Sequence, residues 1–141
     1  MKKIIKASAG TGKTYSLALE YIKELILGTD FRKIYVMTFT KKATSEIRER
    51  VLLFLEEISE GTEAGDEILE NIRKSDPGLT VNQEKMKIIL GLRLLDTGIP
   101  YFNDSRVEKL FGNGLLKKEN NRIILTKKGV MLANEVFVEF I

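Results

Sequence analysis

Residues 7–22 read ASAGTGKTYSLALEYI, and their reading decides the fold. A short apolar stretch, Lys3 to Ala7, runs into a glycine-containing turn, and the turn runs into an amphipathic segment. Gly10 and Gly12 allow backbone N–H groups to face inward with no Cβ in the way. Lys13 follows at the point where an ammonium reaches the β- and γ-phosphates of a nucleotide, and Thr14 supplies a hydroxyl for a Mg²⁺ position. The stretch fits the phosphate-binding loop with Ala7 in place of the usual first glycine. It places Ala9, Gly10, Thr11, Gly12, Lys13 and Thr14 around a nucleotide, with the positive end of the following helix adding to the anion site.

Working outward, Leu17, Ala18, Tyr21, Ile22, Leu25 and Ile26 recur at helical spacing, which predicts a helix over 13–27 stopped by Gly28. The run KIYVMTF, Lys33 to Phe39, is nearly continuous in apolar residues and predicts a strand buried on both faces. Thr40 caps an expected helix over 41–59, with Ile47, Val51, Phe54, Leu55 and Ile58 on one stripe. A turn over EGTEAGD and a helix over 67–74 follow, and SDPG at 75–78 breaks the chain. Strand, loop, helix, strand, helix is a βαβα unit with parallel strands. Two strands make a poor sheet, and their open edges predict pairing with another chain, self-association, or a loosely packed N-terminal half.

The pattern changes from about Val81. A helix is expected over 85–95, running through Gly91, and another over 106–111 capped by Asp104 or Ser105. A hairpin pairs residues 115–118 with 122–125 around Glu119, Asn120 and Asn121, and Thr126 caps a last helix over 127–140. This is a small winged-helix-like α+β arrangement. The expected class is α/β: a truncated P-loop βαβα unit over residues 1–90, then a winged-helix-like domain over 91–141.

Composition narrows the function. The 23 basic and 20 acidic side chains leave a net charge of +3, too even to demand nucleic acid. The chain has no Cys and no His, which excludes disulfides, thiolate or imidazole metal sites, iron–sulfur clusters and His- or Cys-based catalysis. No apolar run reaches membrane-spanning length, and the N-terminal residues lack a long apolar signal segment, so the expected location is cytoplasmic with no membrane partner.

The second informative stretch, YVMTFTKKATSEIRERV, sets Thr38, Thr40, Lys41 and Lys42 at the end of the expected strand, where open α/β sheets place ligands. Hydroxyls and cations there suit a nucleic-acid backbone, and they equally suit a strand end leading into a capped, solvated helix. Taken together, ASAGTGKTYSLALEYI and VMTFTKKATSEIRERV strongly resemble the N-terminus of superfamily 1 DNA helicases, specifically RecB/AddA-type helicase–nuclease subunits of recombinational repair. The resemblance covers residues 3–90. It implies ATP and Mg²⁺ at Gly10 to Thr14, single-stranded DNA along Thr38 to Lys42, and a partner helicase subunit. Such helicases use later carboxylates to hold Mg²⁺ and activate water, and later Arg-bearing motifs. After Leu90 no Asp–Glu pair closes an apolar strand, so binding of ATP is expected without efficient hydrolysis or unwinding by this stretch alone, with no catalytic residue assigned.

The remainder, with GLRLL, GLL, the IILTKKG run and NEVFVEF, resembles the C-terminal domain of the oxygen-independent coproporphyrinogen III oxidase (HemN/HemW) family. That family's chemistry needs a three-Cys iron–sulfur site, and with no Cys none of its catalysis carries over. Residues 91–141 then read as a packing domain without activity, or as a DNA-binding winged helix using Lys109, Lys117, Lys118, Arg122, Lys127 and Lys128. The expected join, in a chimera or fusion, lies near MKIILGLRLL, residues 86–95.

Overall fold

The computed structural model of the protein describes residues 11–80 and 82–140; the expected strand over Lys3 to Ala7, with Ala9 and Gly10, lies outside them. The first described element is helix α1, Thr11–Ile26, whose Ala18, Ile22 and Leu25 are fully or almost fully buried. Their spacing is one helical stripe, and Tyr15 extends it. Gly28 closes α1 in a left-handed conformation, φ +84°, with the Thr29 N–H donating to the Glu24 carbonyl at 3.0 Å.

Helix α2, Lys41–Glu60, starts at the Thr40 cap, whose hydroxyl accepts from the Ala43 N–H. All five residues of its expected stripe, Ile47, Val51, Phe54, Leu55 and Ile58, are buried. Helix α3, Glu63–Ser75, begins four residues earlier than the sequence pattern suggests. Thr62 caps it by accepting from the Gly65 N–H at 3.1 Å, so most of the expected EGTEAGD turn is helical. These three helices bury Ile68, Leu69 and Ile72 with the stripes of α1 and α2 in one cluster. Tyr15 stands edge-on to Phe54, ring centres 5.4 Å apart, and accepts a hydrogen bond from Asn71 Nδ2.

Between α1 and α2 the expected strand over Lys33 to Phe39 is corrected. A short 3-10 turn occupies Phe31–Lys33, Ile34 is extended, and the residues after it form no strand, with a bend at Phe39 and Thr40. Tyr35, Met37 and Phe39 are 84%, 92% and 105% exposed, so the run is not buried on both faces. A strand needs neighbours to take its N–H and C=O groups, and no parallel strand stands beside this one among the described residues. The βαβα unit is therefore not formed among them.

Helix α4, Gln83–Leu92, is capped by Asn82. It serves both halves: Leu90 joins the first cluster, while Ile89 and Leu92 join a second. Gly91 sits where a Cβ would overlap Ile99 and Ser59, which is why a glycine is kept inside a helix. The sequence pattern missed strand β1, Ile99–Pro100, because two residues carry no periodicity. Helix α5, Ser105–Gly112, begins at the Asp104 cap and buries Val107 and Leu110.

Strands β2, Leu116–Glu119, and β3, Arg122–Leu125, form the expected hairpin. Asn120 and Asn121 make its two-residue turn with φ of 48° and 58°, values asparagine tolerates better than most residues. The sheet order is β1-β3-β2, all antiparallel, with Ile99 opposite Ile123 and Leu116 opposite Leu125. The expected final helix is divided into α6, Lys127–Met131, and α7, Ala133–Val138, at Leu132. Val136, Phe137 and Phe140 then pack onto the sheet. Arg122 ties the halves, donating to Glu60 at 2.5 Å and to the carbonyls of Thr97 and Gly98.

Candidate nucleotide and nucleic-acid sites

Gly12, Lys13 and Thr14 occupy the first turn of α1, where several backbone N–H groups have no helical partner. No acidic side chain lies in that turn to compete for its positive end. Ser16 Oγ donates back to the Gly12 carbonyl at 3.1 Å. A Cβ added at Gly12 would meet nothing within 4 Å among the described residues. Among the described residues, packing therefore makes no demand for glycine at this position. The helix is held in place one turn further on, by Tyr15 against Phe54 and Asn71.

The second set sits elsewhere. The Thr38 hydroxyl is 2.6 Å from that of Thr44, and it donates to the Thr40 carbonyl at 3.0 Å. Thr40 is occupied as the α2 cap. Lys41 and Lys42 are exposed in the first turn of α2, again without an acidic neighbour in that turn. Thr38 and Thr40 thus shape a helix start that presents two ammonium groups.

The structure does not bring the two sets together. Tyr15, near the start of α1, meets Phe54 late in α2, while Leu25 shares a cavity wall with Ile47 and Val51. The helices run antiparallel, so Lys41 and Lys42 lie near the far end of α1. The rise of α2 from Lys41 to Phe54 is about 20 Å.

The cations of the wing are largely engaged. Lys109 reaches Glu139 at 2.6 Å, Lys117 reaches Glu119 at 2.5 Å, and Lys128 donates to the Asn113 carbonyl at 3.1 Å. Lys118 lies 3.4 Å from the centre of the Tyr101 ring, and Arg122 is committed to Glu60. Lys127, at the start of α6, is exposed. Asp104 grips Arg106 through two hydrogen bonds, at 2.9 and 2.7 Å, and its carboxyl is lowered to about 2 by the Arg106 side chain and backbone N–H.

One group escapes a reading of the sequence. Arg93, from GLRLL, lies mostly inside the protein with its guanidinium 4.5 Å from the Phe137 ring centre. Burial pushes its pKa down, and burial also raises that of Tyr21 nearby. The signal that could have found it is a single charge inside an apolar run.

Comparison with known proteins decides the family. The UvrD/REP helicase N-terminal domain matches residues 2–126, nearly the whole chain. The chain belongs to that family. The match continues past Leu90, through β1, α5 and the hairpin. Relatives include an ATP-dependent helicase/nuclease of Latilactobacillus sakei, 40% identical over 57 residues, which is 40% of this chain and 6% of that protein. The exonuclease/helicase protein RexA of Lactococcus lactis is 40% identical over 48 residues, 34% of this chain and 4% of its own length. An ATP-dependent helicase/nuclease of Lactobacillus acidophilus is 44% identical over 48 residues, again 34% and 4%. The chain thus spans 4% to 6% of the length of the curated relatives it matches. No solved structure matches it. Among the described residues no helix is long and apolar enough to cross a membrane, and no cluster of His, Cys, Asp or Glu is arranged for a metal.

Proposed function

We propose that this chain is a nucleotide-binding portion of a RecB/AddA-type helicase–nuclease, with its role in DNA repair and recombination in the cytoplasm. The family match across residues 2–126, with its Gly-Lys-Thr sequence at the start of α1, carries the reading. ATP is held at Ala9 to Thr14. The N–H groups of the turn and of α1 receive phosphate oxygens, Lys13 reaches the β- and γ-phosphates, and Thr14 takes a Mg²⁺ position. The donor set suits that ion only together with the nucleotide, since a lone hydroxyl is a weak Mg²⁺ ligand and phosphate oxygens supply the charge.

Single-stranded DNA is held by the α2 start, with Lys41 and Lys42 facing backbone phosphates and Thr38 and Thr40 shaping the turn. The α2 start lies at the far end of α1 from the nucleotide residues, which supports two separate contact surfaces. These 141 residues bind ATP without sustaining hydrolysis, because after Leu90 the sequence offers no Asp–Glu pair closing an apolar strand to activate water. Residues 1–90 and 91–141 form two units, supported by the two apolar clusters that meet at α4. The second unit is a HemN/HemW-like winged-helix packing domain; its β1-β3-β2 sheet and hairpin support that reading, and its internally paired cations favour packing over DNA binding.

Titration of a fluorescent ATP analogue with Mg²⁺ against wild type and Lys13→Ala tests the nucleotide site. A Kd at least tenfold weaker in the variant is expected; equal binding overturns the assignment. For DNA, Lys41→Ala/Lys42→Ala should reduce oligonucleotide affinity and flatten its salt dependence.

A further inference from the structure

Between the two apolar clusters lies a cavity of about 350 Å³ that none of the residues assigned to ATP or DNA lines. Tyr21, Leu25 and Val51 of α1 and α2 form one wall, and Leu125, Ala133 and Phe137 of the C-terminal half form the other. Its size is within the range of small-molecule sites, about 300–1,000 Å³. Among its described lining residues the charged ones are Arg48 and Arg93, with no carboxylate.

Arg93 is the unusual feature. Phe137 covers one face of its guanidinium, leaving the N–H edge to make bonds. Its Nε is buried without a hydrogen-bond partner among the described residues. The carboxylate whose charge acts on it, Asp30, is already taken by Arg32 through bonds of 3.0, 3.2 and 2.8 Å. A buried donor left unpaired is costly, and a guanidinium edge matches a carboxylate with two parallel bonds. An uncharged apolar occupant would leave the donor unpaired.

We propose that this cavity binds a small amphipathic carboxylate, its apolar body between Val51 and Ala133 and its carboxylate on the Arg93 guanidinium. The site is independent of the nucleotide and DNA assignments.

The experiment titrates octanoate and octan-1-ol, each below self-association, into the full 141-residue chain and follows backbone amide NMR shifts. Octanoate is expected to give saturable shifts at Val51, Ala133 and Phe137, and octanol to bind at least tenfold more weakly. Arg93→Met, which keeps the stem over Phe137, should bind the two probes equally. Ala133→Leu and Val51→Phe fill the cavity from opposite walls and should each abolish the shifts. Equal affinity of wild type for acid and alcohol overturns the proposal. So does a response that never saturates, or octanoate binding retained in a folded cavity-filled variant. The wild-type comparison decides the matter even where a filled variant does not fold.

Discussion

Two apolar stretches behave oppositely. Arg122 to Leu125 is a central strand, with Ile123, Ile124 and Leu125 buried and both edges paired. The run Lys33 to Phe39 is as apolar, yet Tyr35, Met37 and Phe39 face solvent and the backbone joins no ladder. The difference is supplied by neighbours. The asparagine turn delivers β2 to one edge of β3 within two residues, and the β1 segment reaches its other edge. Nothing comparably local brings a strand to 33–39, so its β-propensity goes unused among the described residues.

The largest test of that contrast pairs Ile123→Ala with Met37→Ala. Ile123→Ala should cost about 2–5 kcal/mol in chemical denaturation, because it leaves a cavity in a packed sheet. Met37→Ala should stay within about 0.5 kcal/mol, since its side chain already meets water. A comparable loss at Met37 would show that the exposed run is buried in solution, by pairing with another strand or another copy.

Gly91→Ala comes next. A methyl group forced against Ile99 and Ser59 where the two clusters meet should cost about 1–3 kcal/mol, read as a lowered denaturant midpoint. The loss should appear in both halves if α4 unites them, and in one alone if they unfold separately. Thr40→Ala, at the junction between the exposed run and α2, removes the cap bond to Ala43 and should cost about 1 kcal/mol.

The smallest effect is acid-dependent. Asp104 has its carboxyl lowered from 3.8 to about 2 by Arg106, so its contribution is complete above about pH 4 and is lost as pH falls through about 2. Wild type and Asp104→Asn should therefore differ at pH 5 and converge near pH 2 in thermal melts. A constant gap across that range would remove the ion pair as the cause.

Much of the helical fold is legible because the signal is local. Thr40 before Lys41 and the 47, 51, 54, 55, 58 stripe define α2 from spacing alone, and Asn120–Asn121 define the hairpin. Thr62 is hidden within EGTEAGD, which reads as turn chemistry, although a threonine followed three residues later by a free N–H is also a cap. The nucleotide loop is legible as a motif, and the UvrD/REP match agrees with it at the level of family. Its position relative to Lys41 and Lys42 is not legible, since the antiparallel course of α1 and α2 depends on which faces meet.

By itself, then, the order of residues determined the helix stripes, the caps and the asparagine turn, all properties of a few consecutive backbone units. The packed chain decided which apolar run became a strand, that α4 would face two clusters, and that Arg93 would be drawn inward with its Nε unpaired. Those outcomes depend on distant surfaces competing for the same burial. No window of neighbouring residues contains that competition.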